Sequence, residues 1–380
     1  MTIAVIGWII WCVGVFVLGL SAGSFLQVAA VRLPYEKSLL WPGSHCMACL
    51  KAIAWHDNIP ILGWVLLKGK CRNCQAPFSI RYLLVEVFAG LGFLALFALE
   101  VVLDVRGVGW WKQYGWTLNS GLVPWQAWLV WAAEATLFSL LLVASICDLE
   151  HQEIPLSITL TGCLIGLVFS TLCPWPFPLE GTEAAAAAAR VTGRIPEELR
   201  LPVSLHPWPV FWPLPGWLPA GAWWTGLAGG LAGAFAGNLV CRVIRFVYGL
   251  GRGRESLGLG DGDLLLMAGA FVGWQPILSS FFVSLAPGIV MGVGYMLLRG
   301  SQALPFGPSL GLGVLISWFA WPWLGPRVAW LFMDPLTLLL LGLAGSGGLL
   351  MLSFLLRLIS GRDEDEAPTP PAPTGDGQHP

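Results

Sequence analysis

The sequence predicts an all-α polytopic membrane protein with eight or nine transmembrane helices and a small cytoplasmic zinc-binding loop domain. Three observations lead there. Apolar residues make up 56% of the 380 positions and charged residues 11%, with a mean hydropathy of +0.73, whereas a soluble chain carries about 25% charged residues. Apolar stretches of spanning length alternate with polar or Pro/Gly-rich breaks. Two Cys-x-x-Cys pairs stand together in one of those breaks. The net charge of −2 gives no reason to expect nucleic acid as a partner. The 22 tryptophans suit aromatic belts at the two faces of a lipid bilayer.

The spans fall at about 3–31, 83–104, 126–147, 156–173, 222–247, 264–282, 283–299, 309–325 and 335–358. The first has no basic n-region and is too long for a cleaved signal peptide, so residues 1–32 read as a retained first helix. Residues 33–82 form the Cys-containing loop. Residues 83–325 hold the membrane core, interrupted at 174–221 by an outside loop with ten prolines. That proline density excludes a long helix except around the run Ala184 to Ala189. Residues 326–360 carry an additional C-terminal span, and the tail 361–380, acidic and then Pro-rich, is expected to be disordered. The stretch 264–299 is almost continuously apolar, so its division near 282 leaves two readings: two short spans, or a partial span and a full one.

Basic residues orient the chain, because they concentrate in cytoplasmic segments. An outside N-terminus puts 14 of the 20 Lys and Arg inside and 6 outside. The same choice sets Asp148 and Asp261 on the cytoplasmic side, each at the end of a different helix. A carboxylate at the edge of a span is costly to keep there and is a functional candidate. Two that can meet in space form a candidate catalytic dyad. The bland alternative for Asp148 is an acid that caps the following helix, which Ile154-Pro155 announces. Glu150 and His151 read as its solvated neighbours, the alternatives being that Glu150 assists the pair and that His151 orients Asp148.

Cys46-x-x-Cys49 and Cys71-x-x-Cys74 are separated by 21 residues. Each knuckle can direct two sulfurs to one metal, and the spacing suits a closed, structural four-thiolate zinc site. Two disulfides are the competing reading, and a cytoplasmic loop disfavours them. His45 and His56 lie near enough to replace a ligand. Cys12, Cys147, Cys163, Cys173 and Cys241 read as small apolar fillers. Asp57 reads as a turn or packing residue of the loop.

Several motifs, in order, resemble those of the bacterial prepilin leader peptidases, polytopic aspartic proteases of the GxGD class. Gly23-Ser24-Phe25-Leu26-Gln27-Val28 with Arg32-Leu33-Pro34 resembles the family's GSFLNV…RLP, with Gln27 in place of Asn. Trp55-His56-Asp57-Asn58-Ile59-Pro60 resembles WxDNIP. The stretch from Cys71 through Pro77, Arg81-Tyr82 and Glu86 resembles the family's second Cys segment. Asp148-Leu149 with Ile154-Pro155 resembles the surroundings of the first catalytic aspartate, and Gly258-Leu259-Gly260-Asp261 resembles the GxGD motif. Leu304-Pro305-Phe306-Gly307-Pro308 resembles the entry to a late helix. The resemblance runs to about residue 320.

The resemblance implies that Asp148 and Asp261 activate water, with no cofactor required for that step. It implies prepilins or pseudopilins as substrates, cleaved at the cytoplasmic face of the bacterial inner membrane. It also implies N-methylation of the new N-terminus with S-adenosylmethionine, although no GxGxxG-type loop assigns residues to it. Gly258 and Gly260 are expected to let a substrate backbone approach Asp261. One departure stands out: Asp263 occupies the place where the family carries Lys. Gly260-Asp261-Gly262-Asp263 also fits GxGD, but Gly269 and Gly273-Trp274 align only with Asp261 as the catalytic residue. Losing the Lys is expected either to raise an aspartate pKa or to demand another cation, Arg252 or Arg254. Two rival readings keep the aspartates structural or ion-binding: a zinc-containing membrane scaffold or assembly factor, and an ion- or proton-coupled transporter.

Overall fold

The computed structural model describes residues 2–39, 41–173, 222–253, 258–299, 305–333 and 335–365. The proline-rich loop at 174–221, expected on the outside, and the tail beyond 365 lie outside the described residues. Among the described residues the chain is helical and forms no strand beyond two isolated bridges. Its helices are α1 (Thr2–Arg32), α2 (Leu62–Leu66), α3 (Ile80–Phe97), α4 (Trp110–Asn119), α5 (Trp125–His151), α6 (Leu156–Leu172), α7 (Trp223–Arg252), α8 (Leu259–Val272), α9 (Trp274–Arg299), α10 (Gly307–Met333) and α11 (Pro335–Asp365). Six of them (α1, α3, α5, α7, α9 and α11) are long and apolar enough to cross a membrane, and α6 is a shorter apolar helix. The chain is thus an all-α, multi-pass membrane protein.

The boundary expected near 282 falls instead at Gly273. Its φ of 80° and ψ of 171° end α8 and let α9 begin at Trp274, in a region of backbone space open in practice to glycine alone. Hydropathy cannot register such a break, since both sides are equally apolar. The outcome is a partial span of 14 residues followed by one of 26. At the C-terminus, α11 continues through Asp365, so the first residues of the expected disordered tail extend a helix.

The helices pack so that the ends of α1 and α5 and the starts of α3, α8 and α10 meet at one end of the bundle. Cys147 Sγ on α5 donates to Ala30 O on α1 at 3.6 Å. Arg81 on α3 pairs with Glu150 at 3.2 Å. The core beneath is formed by Leu137, Leu141, Ala144, Leu264, Leu265, Met267 and Leu310, all buried.

The opposite end holds a charge cluster that the sequence reading does not anticipate. Arg106, one of the six basic residues counted outside, is fully buried between Glu100 (3.1 Å) and Glu134 (3.2 Å). Trp110 Nε1 donates to Glu100 and Trp318 Nε1 to Glu134, each at 2.9 Å, and the guanidinium lies 4.3 Å from the Trp318 ring centre. The signal was present in Glu100 and Glu134, which fall inside predicted spans where a lone acid is costly. Around the cluster, Trp8, Trp111, Trp11 and Trp128 pack on one another and on Phe97. Trp110, Trp318 and Trp321 are fully buried, so part of the tryptophan content fills the core instead of the lipid interface.

Candidate active site

Asp148 lies in the last turn of α5, whose end is marked by Gln152 in the left-handed conformation (φ 56°). Its side chain does not cap α6, whose N-cap is Pro155. The carboxylate Oδ2 instead accepts the Gly307 backbone N–H at 2.7 Å, so Asp148 caps the start of α10. Asp261 sits in the first turn of α8, and its Oδ2 accepts the N–H of Gly258, the N-cap residue, at 3.2 Å. Both carboxylates are nearly buried, at 7% and 8% exposure, and they lie close enough to act on each other electrostatically. Two helix N-termini, each favouring negative charge, thus converge on one site.

Two glycines are needed for this convergence. A Cβ on Gly307 would sit 2.8 Å from Asp148 Oδ2 and 3.1 Å from its Cβ. G307A should therefore push the carboxylate aside and slow peptide cleavage roughly tenfold or more, measured as kcat in reconstituted bilayers; an unchanged kcat would show that this contact does not position Asp148. Gly260 faces Ile154, with 3.0 Å between its ideal Cβ and the Ile154 Cβ. Its expected role in docking substrate is corrected accordingly: the missing side chain lets the α5–α6 link pack on α8.

Glu150 and His151 lie at the solvated edge as expected, each with a partner other than Asp148. Glu150 pairs with Arg81, and His151 stacks edge-on against Tyr35 at 5.5 Å without turning toward Asp148. Asp263 accepts from Asn238 Nδ2 at 3.2 Å and pairs with Arg242 at 3.6 Å. The expected cation is therefore Arg242 on α7. Arg252 donates to Tyr248 Oη, and Arg254 lies outside the described residues.

The cysteine loop folds into two matching knuckles. Cys46 N–H bonds Lys51 O and Leu50 N–H bonds Cys46 O, at 2.9 and 2.8 Å; Cys71 N–H bonds Ala76 O and Gln75 N–H bonds Cys71 O, at 2.9 and 3.0 Å. Leu50 and Gln75, which follow the second cysteine of each pair, both take positive φ (56° and 61°). The four Sγ atoms lie within 4.8 Å of one another, with Cys46–Cys74 at 3.7 Å and Cys49–Cys71 at 4.0 Å. A tetrahedral zinc with bonds of ~2.3 Å sets its sulfurs ~3.8 Å apart, so the thiols fit that ion. All four are free thiols, with separations well beyond the ~2.05 Å of a disulfide bond. His45 bonds Gly43 O and His56 sits beside Asp57, both apart from the thiol set. Asp57 receives both Nε and Nη2 of Arg72, at 2.7 and 2.6 Å, which ties the segment between the pairs to the second knuckle. The Arg72 guanidinium holds the Asp57 carboxyl below its usual range.

Between this module, the second half of α1 and the start of α3 lies a cavity of about 810 Å³. Its wall includes Gln27, Tyr35, Trp41, Trp64, Tyr82 and Glu86. Gln27 Nε2 donates to Tyr82 O at 2.6 Å, and Glu86 Oε2 accepts Ile61 N–H at 2.8 Å. The Trp64 indole N–H is buried and finds no acceptor among the described residues. Gly69, at φ 66°, lies against the Trp64 ring with its ideal Cβ 2.9 Å from Cζ2. Tyr35 both lines the cavity and touches His151, three residues beyond Asp148, so cavity and dyad are neighbours. Sequence reasoning gave no site role to Trp64, Gly69 or Arg242, the last counted only among the basic residues that orient the chain; the Trp-x₄-Gly spacing alone carries no signal.

Comparison with known proteins agrees with this arrangement. Residues 17–99 match the bacterial Peptidase A24 N-terminal domain and residues 135–293 the type IV leader peptidase family. A prepilin leader peptidase/N-methyltransferase of Klebsiella pneumoniae is 30% identical over 70% of this chain and 88% of its own length. Proteins of the same name from Myxococcus xanthus (32% identity, 78% of this chain, 66% of that protein) and Pectobacterium carotovorum (28%, 80% and 91%) are also similar. No solved structure matches the chain. With the cysteine module and the membrane core each matched in turn, the chain belongs to the type IV leader peptidase family.

Proposed function

We propose that this protein cleaves the leader from prepilins or pseudopilins at the cytoplasmic face of the bacterial inner membrane, with Asp148 and Asp261 as the catalytic pair. The observation that carries the reading is the convergence of the two carboxylates, each held by one backbone N–H, at the ends of α5 and α8. Two carboxylates near each other do not both ionise easily, so one keeps a proton while the other acts as base. The ionised one takes a proton from water as that water attacks the scissile carbonyl, and the protonated one donates toward the carbonyl oxygen. Collapse of the tetrahedral intermediate then breaks the C–N bond: the nitrogen takes the proton drawn from water by the first carboxylate and leaves as the new N-terminal amine, and the second carboxylate regains its proton from the intermediate's hydroxyl. Gly307 and Gly258 keep both carboxylates in place without side chains that would fill the space. A test is cleavage of a purified prepilin in bilayers holding only this protein; a substrate that stays intact at pH 7 would sink the reading.

The names of the similar proteins add a second activity, N-methylation, and the cavity beside the module is where we place it. S-adenosylmethionine, when bound, supplies an electrophilic methyl group. The volume of about 810 Å³ lies within the range of small-molecule sites, about 300–1,000 Å³. The Trp64 N–H offers a donor in search of an acceptor, and the aromatic faces of Trp41, Trp64 and Tyr82 suit a purine ring or a sulfonium. W64F keeps the ring and removes the donor. It should weaken the methyl donor's apparent KM about three- to tenfold and leave cleavage unchanged, read by transfer of labelled methyl; an unaltered KM would move the site elsewhere. The four thiols are the proposed seat of a structural zinc, which would lock the two knuckles together and so shape the cavity wall. Elemental analysis should find about one zinc per chain and its loss in C46S; parental protein with far less metal rules the zinc out.

A further inference from the structure

Asp263 is a charged residue that the proposed chemistry leaves unused, yet it stands two positions from Asp261. Its surroundings are built with care on α7. The backbones of α7 and α8 touch at Gly233 with Gly269 and at Gly237 with Leu265, the small-residue contact that lets membrane helices approach closely. Cys241, one turn further, is buried against Gly262. At the active-site end the seam closes on a side-chain network. Asn238 donates to Asp263, Arg242 pairs with the same carboxylate oxygen, and Arg242 Nε also donates to Asn238 Oδ1.

We propose that Asn238 and Arg242 are positioning residues for leader cleavage, holding Asp263 so that the first turn of α8 presents Asp261 to Asp148. The inference rests on the reading of that pair as catalytic. Residues two apart on a helix project about 200° from each other, so a clamp on Asp263 fixes the azimuth of Asp261 on the far side. A carboxylate ~5–6 Å from the helix axis moves about 1 Å for a rotation of about 10°, and 1 Å at a reacting centre can cost about 10²-fold in rate. The network is not what holds α7 to α8. The glycine contacts and Cys241 already do that, and the Arg242 side chain is 55% exposed, where an ion pair adds little to stability. Asp263 thus keeps a partner in the form of an arginine from the neighbouring helix, in a chain whose own α8 supplies no cation at that position.

The test is steady-state cleavage of a prepilin by the full-length protein in bilayers. R242A and N238A should each lower kcat roughly tenfold with KM, zinc content and melting temperature unchanged. R242K should recover most of the loss, and the exchange R242D/D263R should cleave faster than R242D alone. If R242A keeps the parental kcat while D261N is inactive, the positioning role is overturned and the dyad stands. If R242A loses activity only together with its melting temperature, and R242K fails to rescue, the role is structural and the proposal is likewise overturned. Full activity in D261N would remove the catalytic reading itself, and this inference with it.

Discussion

D148N and D261N should each lower leader cleavage by about 10³-fold, within the range that general acid–base groups contribute. The double variant should be scarcely slower than either single one, because groups that act as a unit are not additive. The reason lies in the geometry. Each carboxylate is held by one backbone N–H, Gly307 for Asp148 and Gly258 for Asp261. Asparagine keeps the shape and can keep that bond through its amide oxygen, so the fold should be unaffected. What is lost is the ability to take or give a proton. Single-turnover cleavage is the measurement, since it isolates the chemical step from product release. Methyl transfer to a pre-cleaved pilin should persist in both variants, because its proposed cavity is lined by the module, α1 and α3. Cleavage at the parental rate in either variant would assign the chemistry to other residues.

R106A should cost about 3–5 kcal/mol of stability, the usual penalty for removing one partner from a buried ionic cluster. Arg106, Glu100 and Glu134 are completely shielded from solvent, and the guanidinium bridges both acids. Without it, two carboxylates would face each other at the end of the bundle with only the indole N–H groups of Trp110 and Trp318 to answer them. Replacing the whole cluster is a different experiment: R106M/E100Q/E134Q removes all three ionisable groups and should recover much of the loss. Equilibrium unfolding in mixed micelles compares the variants. A loss below about 1 kcal/mol in R106A, the scale of an exposed pair, would show that water reaches the cluster.

Much of the architecture was legible in composition and spacing. Apolar runs of spanning length announced the helices, and the two Cys-x-x-Cys pairs announced a closed four-thiol cluster, because both signals are local. The division of 264–299 was not legible in hydropathy. Gly273 decides it through a backbone conformation, and the residues on either side are equally greasy. The site was half legible. Asp148 and Asp261 stood out as acids at the edges of apolar runs, and the residues that hold them did not. Gly307 is 159 positions from Asp148, and no periodicity links the two. Arg242 escaped for the same reason, as one of several arginines near the end of α7. Arg106 looked like a loop cation because its burial depends on Glu134, which belongs to another helix.

The sequence by itself determined that this chain enters a membrane, carries a four-cysteine module, and keeps two acids at helix ends. Those properties follow from hydrophobicity, ligand spacing and the cost of a charge in an apolar run, and each is read within a few residues. Only the tertiary structure decided which backbone N–H groups hold the acids, which cation answers Asp263, and that the Cys module walls a cavity beside the dyad. Such choices depend on which helix ends meet in space, and packing of elements far apart in the chain decides that.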